Sequence, residues 1–324
     1  MITKFFSISI QGKYKIYTIL GVKIKIKDKC LSLIADLNKK INTQNYIINN
    51  CINISTFPKA SGIYRKYQIA NTKLLSIFDY ICKRHNIEYW LDFGTCLGAY
   101  RHKGFIPWDD DIDIGMKRNN YNKIINILKS ELPEGFLVDE GQSYCDYAIT
   151  RIIYKNSAIQ LDIFPYDTYY KCEVSEYEEQ QLEDKISELN HHFYKKYLKN
   201  ISDKKFFPRE ELAKMIKKYL LRGNTEIKDG IMLRGLEFNY SHNDKKVYKN
   251  NIIYPLSSCE FEGKKFPIPG KIEKFLELNY GNFMDFPLNI DFHRDIQNRV
   301  YNIDIDSEIE NLDRYINEYI DKGV

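Results

Sequence analysis

The chain lacks any CxxC pair. Its seven cysteines, at positions 30, 51, 82, 96, 145, 172 and 259, stand singly. A zinc site built on paired-cysteine spacing is therefore excluded, and the odd, scattered set suits reduced thiols of a cytosolic protein. No stretch of about 18 apolar residues is present, so the sequence predicts no membrane span. Gln11, Lys13 and Lys15 interrupt the amino-terminal apolar residues, which argues against a signal-peptide core. Repeats and low-complexity tracts are absent. A strong excess of one charge is missing too: 48 Lys and Arg against 44 Asp and Glu leave +4. That balance gives no electrostatic footprint for nucleic acid.

What is present is the composition of a folded protein, 44% hydrophobic and 28% charged over 324 residues, enough for one large domain or two small ones. The 26 tyrosines, with abundant Ile, Lys and Asn, fit a compositional bias rather than a function. The charge is unevenly placed. Up to residue 29 there are seven lysines and one acid, Asp28, so this segment carries +6. Val22, Ile24 and Ile26 alternate with Lys23, Lys25 and Lys27, the period of a half-exposed strand. Residues 1–30 are read as a basic β-hairpin. Its lysines either guard a sheet edge or attract an anionic membrane surface at the inner face of the cytoplasmic membrane. Residues 45–66 are read as a connector.

Leu74, Ile77, Phe78 and Ile81 follow helical spacing; Glu88–Phe93 reads as a strand, Cys96–Tyr100 as a short helix and Asp109–Ile114 as a second strand. Tyr121, Ile124, Ile125 and Leu128 mark another helix, and strands are expected at Ala148–Tyr154 and Ile159–Phe164. Helices are expected at Ser175–Leu198 and around Leu212–Tyr219, a hairpin turning at Glu262–Gly263, and a final helix opened by a Ser307-x-x-Glu310 capping box. The fold class is α/β (α+β), a mixed-sheet core with helical additions.

The densest chemistry lies in Ile106-Pro-Trp-Asp-Asp-Asp-Ile-Asp-Ile114. On a continuous strand, Asp109, Asp111 and Asp113 would share one face and Asp110 the other. Three carboxylates on one face repel unless a cation intervenes, and oxygen-only ligands suit Mg²⁺ or Mn²⁺. Asp162, between Leu161 and Ile163, is an isolated acid in an apolar strand that needs a partner, which a neighbouring strand bearing Asp111 and Asp113 supplies. An EF-hand loop starting at Asp109 would need Gly at position 114 and Glu at 120; Ile114 and Asn120 exclude it. A bland acidic surface strand is the alternative.

Upstream, Leu91-Asp-Phe-Gly-Thr-Cys-Leu-Gly98 turns a strand into a helix. Helix N-terminal N–H groups bind phosphate, Gly94 permits close approach, and the Thr95 hydroxyl can add a bond. Arg101 is a candidate for bidentate diphosphate binding. Lys103 and His102 are either phosphate contacts or a surface loop. Arg151 is either a phosphate contact or the partner of a structural carboxylate.

The run from His85 to Ile114, with Leu161-Asp-Ile-Phe-Pro165, Phe261-Glu-Gly263 and Tyr280-Gly281, resembles the LicD family, which includes the fukutin-related transferases. The similarity covers about residues 65–290, weakest in the helical middle, and implies a nucleotidyltransferase-like fold. A catalytic domain is thus expected at 65–290, with a helical insertion at about 175–235 and a terminal helix in 291–324. In that fold a Gly-[Gly/Ser] turn precedes a strand bearing Asp-x-Asp; here Gly94–Thr95 and Asp111-x-Asp113 fill those places, with Thr replacing Ser. The resemblance implies transfer of a phospho-substituent, such as phosphocholine, from a CDP-linked donor to a sugar hydroxyl of a glycan or lipid-linked saccharide. It implies metal ligation by Asp111, Asp113 and Asp162, with Asp109 orienting a ligand or acting as base. Attachment of a nucleotide with diphosphate release, and a non-enzymatic glycan- or choline-binding module, are the competing readings.

Overall fold

The computed structural model describes residues 6–11, 14–19, 22–140, 149–169, 230–235, 247–287 and 303–320. They fall into two compact units, one of residues 1–54 with 285–289, the other of residues 55–284 with 290–324.

In the first unit β1 (Phe6–Gln11), β2 (Tyr14–Ile19) and β3 (Val22–Lys27) form an antiparallel sheet. The expected basic hairpin thus gains a third strand, with Tyr14 opposite Lys27 and Ile19 opposite Val22. Helix α1 (Asp28–Cys51) follows directly. It runs into the segment read as a connector. Its five asparagines, poor helix formers, obscure a period that the aliphatic residues do carry.

The second unit is built on a mixed seven-stranded sheet. After α2 (Gly62–Arg84) come β4 (Trp90–Leu91), α3 (Phe93–His102), β5 (Ile112–Lys117), α4 (Arg118–Glu131), β6 (Phe136–Asp139), β7 (Thr150–Tyr154), β8 (Gln160–Tyr169), β9 (Ile231–Arg234) and β10 (Tyr248–Lys249). The order is β10-β9-β8-β5-β4, with β7 also pairing β8 and β6 pairing β7. Only β5 and β8 run parallel among these pairs. Both faces of β5 are covered, and Ile112, Ile114 and Met116 are fully buried. Leu74, Ile77, Phe78 and Ile81 of α2 enter this core, as do Tyr121, Ile124 and Leu128 of α4, in line with their spacing.

The short α5 (Asn250–Ile253) leads to the hairpin of β11 (Ser257–Phe261) and β12 (Lys264–Ile268), which turns at Glu262–Gly263 as expected, both at positive φ. Then come α6 (Ile272–Tyr280) and α7 (Ile305–Tyr315). The terminal helix starts earlier than its capping-box pattern predicts: Asp304 is the cap, accepting from the Asp306 N–H. Helix α7 lies along α2, where Lys66 and Lys73 pair with Asp306 and Asp313. Glu308, placed inside the proposed box, is instead buried on the Tyr154 hydroxyl and the Lys155 ammonium. The helices expected at 175–198 and 212–219 lie outside the described residues.

Candidate active site

The parallel β5–β8 ladder sets Asp113 directly beside Asp162. The strand begins only at Ile112, however, so Asp109, Asp110 and Asp111 belong to the loop that leads into it. The simple alternation of faces therefore does not apply to them. Asp109 and Asp111 are half-buried, while Asp110 is 4% exposed and lies next to the Tyr64 hydroxyl. Asp110, expected on the opposite face of a continuous strand, lies instead in this loop.

What holds the loop is a polar stripe on α2. Tyr64, Gln68 and Asn71, spaced four and three apart, share one helical face. The Tyr64 hydroxyl donates to the Trp108 carbonyl at 2.8 Å, the Gln68 amide to the Asp109 carbonyl at 2.7 Å and the Asn71 amide to the Asp110 carbonyl at 2.5 Å. Three successive carbonyls are thereby fixed, which leaves the aspartate side chains no strand geometry to follow. Asn71 also accepts from the Gln160 N–H and donates to the Ala158 carbonyl, tying the same helix to the start of β8. Gln68 and Asn71 are buried polar groups among apolar neighbours, a signal the sequence carries but which spacing alone does not interpret.

Asp113 is 9% exposed, and its pKa is pushed well above the usual carboxylate range, first by burial and then by the charges of Asp111, Asp162, Asp109 and Asp92. Asp162 is differently placed. Arg151, opposite it on β7, grips both its oxygens with two guanidinium nitrogens. Arg151 thus serves a carboxylate of the fold, and its reading as a phosphate contact gives way to the alternative pairing. The same fork occupies Asp162. Among the described residues no three acidic, histidine or cysteine side chains are grouped so as to hold an ion by themselves.

Helix α3 opens on Asp92, which accepts from the Phe93 N–H at 2.8 Å. Asp92 is wholly buried. Its second oxygen takes the Tyr166 hydroxyl at 2.7 Å, and Arg234 of β9 donates to the first at 2.9 Å. Arg234 also lies 3.6 Å from the centre of the Phe93 ring, and Phe93 holds a positive φ of 39°. Burial works against the Arg234 charge, but Asp92 outweighs it and raises the guanidinium pKa. Sequence reasoning missed both residues, because 142 positions separate them.

At the turn itself, Gly94 leaves room for the Asp109 carboxylate. A Cβ there would stand 2.3 Å from Asp109 Oδ2, so the Asp109 carboxylate rests on the first turn of α3. Thr95 has a different role from the phosphate contact expected of it. It is 1% exposed; its hydroxyl accepts from the Asp113 N–H at 2.8 Å and faces the Asp111 carbonyl at 3.5 Å. The group positions the Asp-x-Asp backbone.

Arg101 ends α3 almost buried. It donates to the Phe283 carbonyl at 2.7 Å and to His102 Nδ1 at 3.4 Å. No carboxylate pairs with it among the described residues, and burial lowers its pKa to about 10, leaving it charged at neutral pH. A cation buried without a counter-ion is the feature expected of an anion site. Lys103 is the exposed left-handed cap of α3. Its carbonyl accepts from the Glu262 N–H, and the Glu262 side chain accepts from Arg65, Lys59 and the Phe105 N–H. The Phe261-Glu-Gly263 motif therefore clamps the loop that precedes the aspartates. Tyr280, at the end of α6, lies within electrostatic reach of Asp113 and Asp109.

This arrangement is a mixed α/β fold in which a helix-opening glycine turn faces an Asp-x-Asp strand. Residues 86–217 match the LicD/FKTN/FKRP nucleotidyltransferase domain, so this segment is similar to the LicD family. The lipopolysaccharide cholinephosphotransferase LicD of Haemophilus influenzae is 28% identical over 263 residues, 69% of this chain and 92% of that protein. The human ribitol 5-phosphate transferase FKRP is 32% identical over 85 residues, 25% of this chain and 17% of that protein. The mouse ribitol-5-phosphate transferase FKTN is 32% identical over 88 residues, 27% and 17% respectively.

Proposed function

We propose that the protein is a metal-dependent transferase that moves a phospho-substituent, phosphocholine-like in kind, from a CDP-linked donor to a sugar hydroxyl of a bacterial surface glycan. One observation carries the reading: Asp113, whose pKa is raised by burial and by the charges of Asp111, Asp162 and Asp109, lies in the same α3–β5 substructure as Arg101, a buried cation with no carboxylate partner among the described residues. The names of the relatives, a cholinephosphotransferase and ribitol phosphate transferases, support a phospho-substituent as cargo.

The donor set suits Mg²⁺ or Mn²⁺. Both ions take hard oxygens, and Mg²⁺ is commonly held by one or two carboxylates with substrate phosphates completing the shell. Asp111 and Asp113 would provide the protein's share; burial and the neighbouring acids raise the Asp113 pKa, a penalty that a bound cation would relieve. Asp162, expected as a third ligand, stays with Arg151 and fixes the flank of the site. The bound metal would draw negative charge from the diphosphate.

The chain's own groups do the rest. Arg101 holds donor phosphate oxygens, and N–H groups at the start of α3 offer further phosphate donors. Thr95 and the α2 stripe keep Asp113 and its loop in register. The sugar oxygen attacks phosphorus, the bond to CMP breaks, and Asp109 at the Gly94 turn takes the acceptor proton. The scattered thiols, free at Cys51, Cys82, Cys96 and Cys259, support a cytoplasmic site of action.

The test is product analysis. Purified protein is incubated with a panel of CDP-linked donors, nucleoside triphosphates, saccharide acceptors and Mg²⁺ or Mn²⁺. Metal-dependent CMP release with a phosphorylated acceptor supports the reading. Diphosphate release from a triphosphate, without CMP release from any CDP donor, replaces it with nucleotide attachment. Acceptor or choline binding without turnover replaces it with a binding module.

A further inference from the structure

The first unit carries an apolar face that the transferase chemistry does not use. On α1, Leu33, Ile34, Leu37 and Ile41 fall within an arc of about 100° at helical spacing, and half-buried Ile48 continues it. The first four are between 43% and 64% exposed. Ser32, Asp36, Lys39, Asn42 and Thr43 lie elsewhere around the helix, and Lys40 borders the stripe. Such a stripe on a surface helix normally faces a core.

The charge of the same unit says which partner fits. Residues 1–51 hold nine lysines against two aspartates, Asp28 and Asp36, a net +7, while the remainder of the chain holds −3. Strand β3 alternates Lys23, Lys25 and Lys27 with aliphatic residues, and α1 follows it without a break. A second copy seated on the stripe would bring two such units together against their repulsion. An anionic bilayer surface satisfies both features, burying the aliphatic arc at the headgroup boundary and attracting the lysines. We propose that the β1–β3 sheet and α1 form a peripheral membrane-binding unit that lays the Leu33–Leu37–Ile41 face on anionic lipid.

The experiment is co-sedimentation of the full chain with neutral phosphatidylcholine vesicles and with vesicles containing about 30 mol% phosphatidylglycerol, the fraction bound giving the partition. Wild type is expected to prefer the anionic vesicles and to lose that preference in high salt. The double variant Leu37→Glu/Ile41→Glu should bind at least about 10-fold less, the apolar contact being gone. The triple variant Lys23→Gln/Lys25→Gln/Lys27→Gln should bind the two vesicle types more equally. The altered side chains of α1 are exposed, so thermal melts should match wild type; should one variant unfold, the lysine series and the salt dependence still decide. Equal binding of wild type to neutral and anionic vesicles, or none, overturns the proposal. So does a dimer in sedimentation equilibrium that Leu37→Glu/Ile41→Glu makes monomeric with vesicle binding unchanged, which would make the stripe an interface between copies.

Discussion

Asp113 meets Asp162 across the β5–β8 ladder, and Asp111 and Asp109 approach it from the preceding loop. Its folded pKa lies above that of an unfolded aspartate, about 3.9. Between those two values the folded state binds the extra proton, so stability falls as pH rises through that window and recovers as pH falls. In EDTA the melting temperature of wild type should therefore increase on mild acidification, and Asp113→Asn should flatten this slope and melt at or above wild type near pH 7. An unchanged slope in the variant would remove Asp113 as its source. Gly94→Ala separates geometry from stability in the same cluster. The added Cβ displaces only the end of the Asp109 side chain, so the melt should move little while kcat falls about 10-fold or more if Asp109 takes the acceptor proton. Thr95 offers a third contrast. Thr95→Val removes the acceptor for the Asp113 N–H and should lower kcat by about 10-fold with donor KM nearly unchanged, and Thr95→Ser should restore it. A rise in KM alone would return Thr95 to the donor site.

At the scale of elements, the loop from Lys103 to Asp111 owes its shape to neighbours on three sides: α2 through Tyr64, Gln68 and Asn71, the β11–β12 turn through Glu262, and α3 through Gly98. A Cβ on Gly98 would meet the Gly104 carbonyl at 2.4 Å, which explains a glycine in mid-helix. The start of α3 depends on a buried pair. Asp92→Ala leaves the Arg234 charge buried without its carboxylate, and should cost about 3–5 kcal/mol in denaturant unfolding. A loss below about 1 kcal/mol would show that Asn279 and the aromatic rings suffice for Arg234. The contrast between what could and could not be read lies here. The α2 and α4 core stripes and the Glu262–Gly263 turn depend on local spacing, and the sequence announces them. The β5 boundary does not, because Asp111-Ile-Asp-Ile114 alternates across it whether or not the backbone is paired. It is the α2 side chains, some 40 residues upstream, that bend the first half into a loop. Asp92, Arg234 and the Arg151–Asp162 fork likewise exist only through strand order, which no local period encodes.

For the whole molecule, the proposed chemistry rests on the second unit and the proposed membrane contact on the first. Among the described residues no helix is long and apolar enough to cross a membrane. A metal-bound donor that binds only the folded state would raise the melting temperature, the gain growing with the logarithm of its concentration once that exceeds Kd. The central claim is that Asp111 and Asp113 make donor cleavage metal-dependent. The most direct measurement is the initial rate of CMP release from an accepted CDP-linked donor, titrated with Mn²⁺ or Mg²⁺, for wild type and Asp111→Asn. The account predicts a saturable rise from zero in EDTA for wild type and a rate at least about 1000-fold lower for the variant at the same metal concentration, the loss expected when a principal electrostatic group is removed. CMP release that persists in EDTA, or that survives Asp111→Asn, would contradict it.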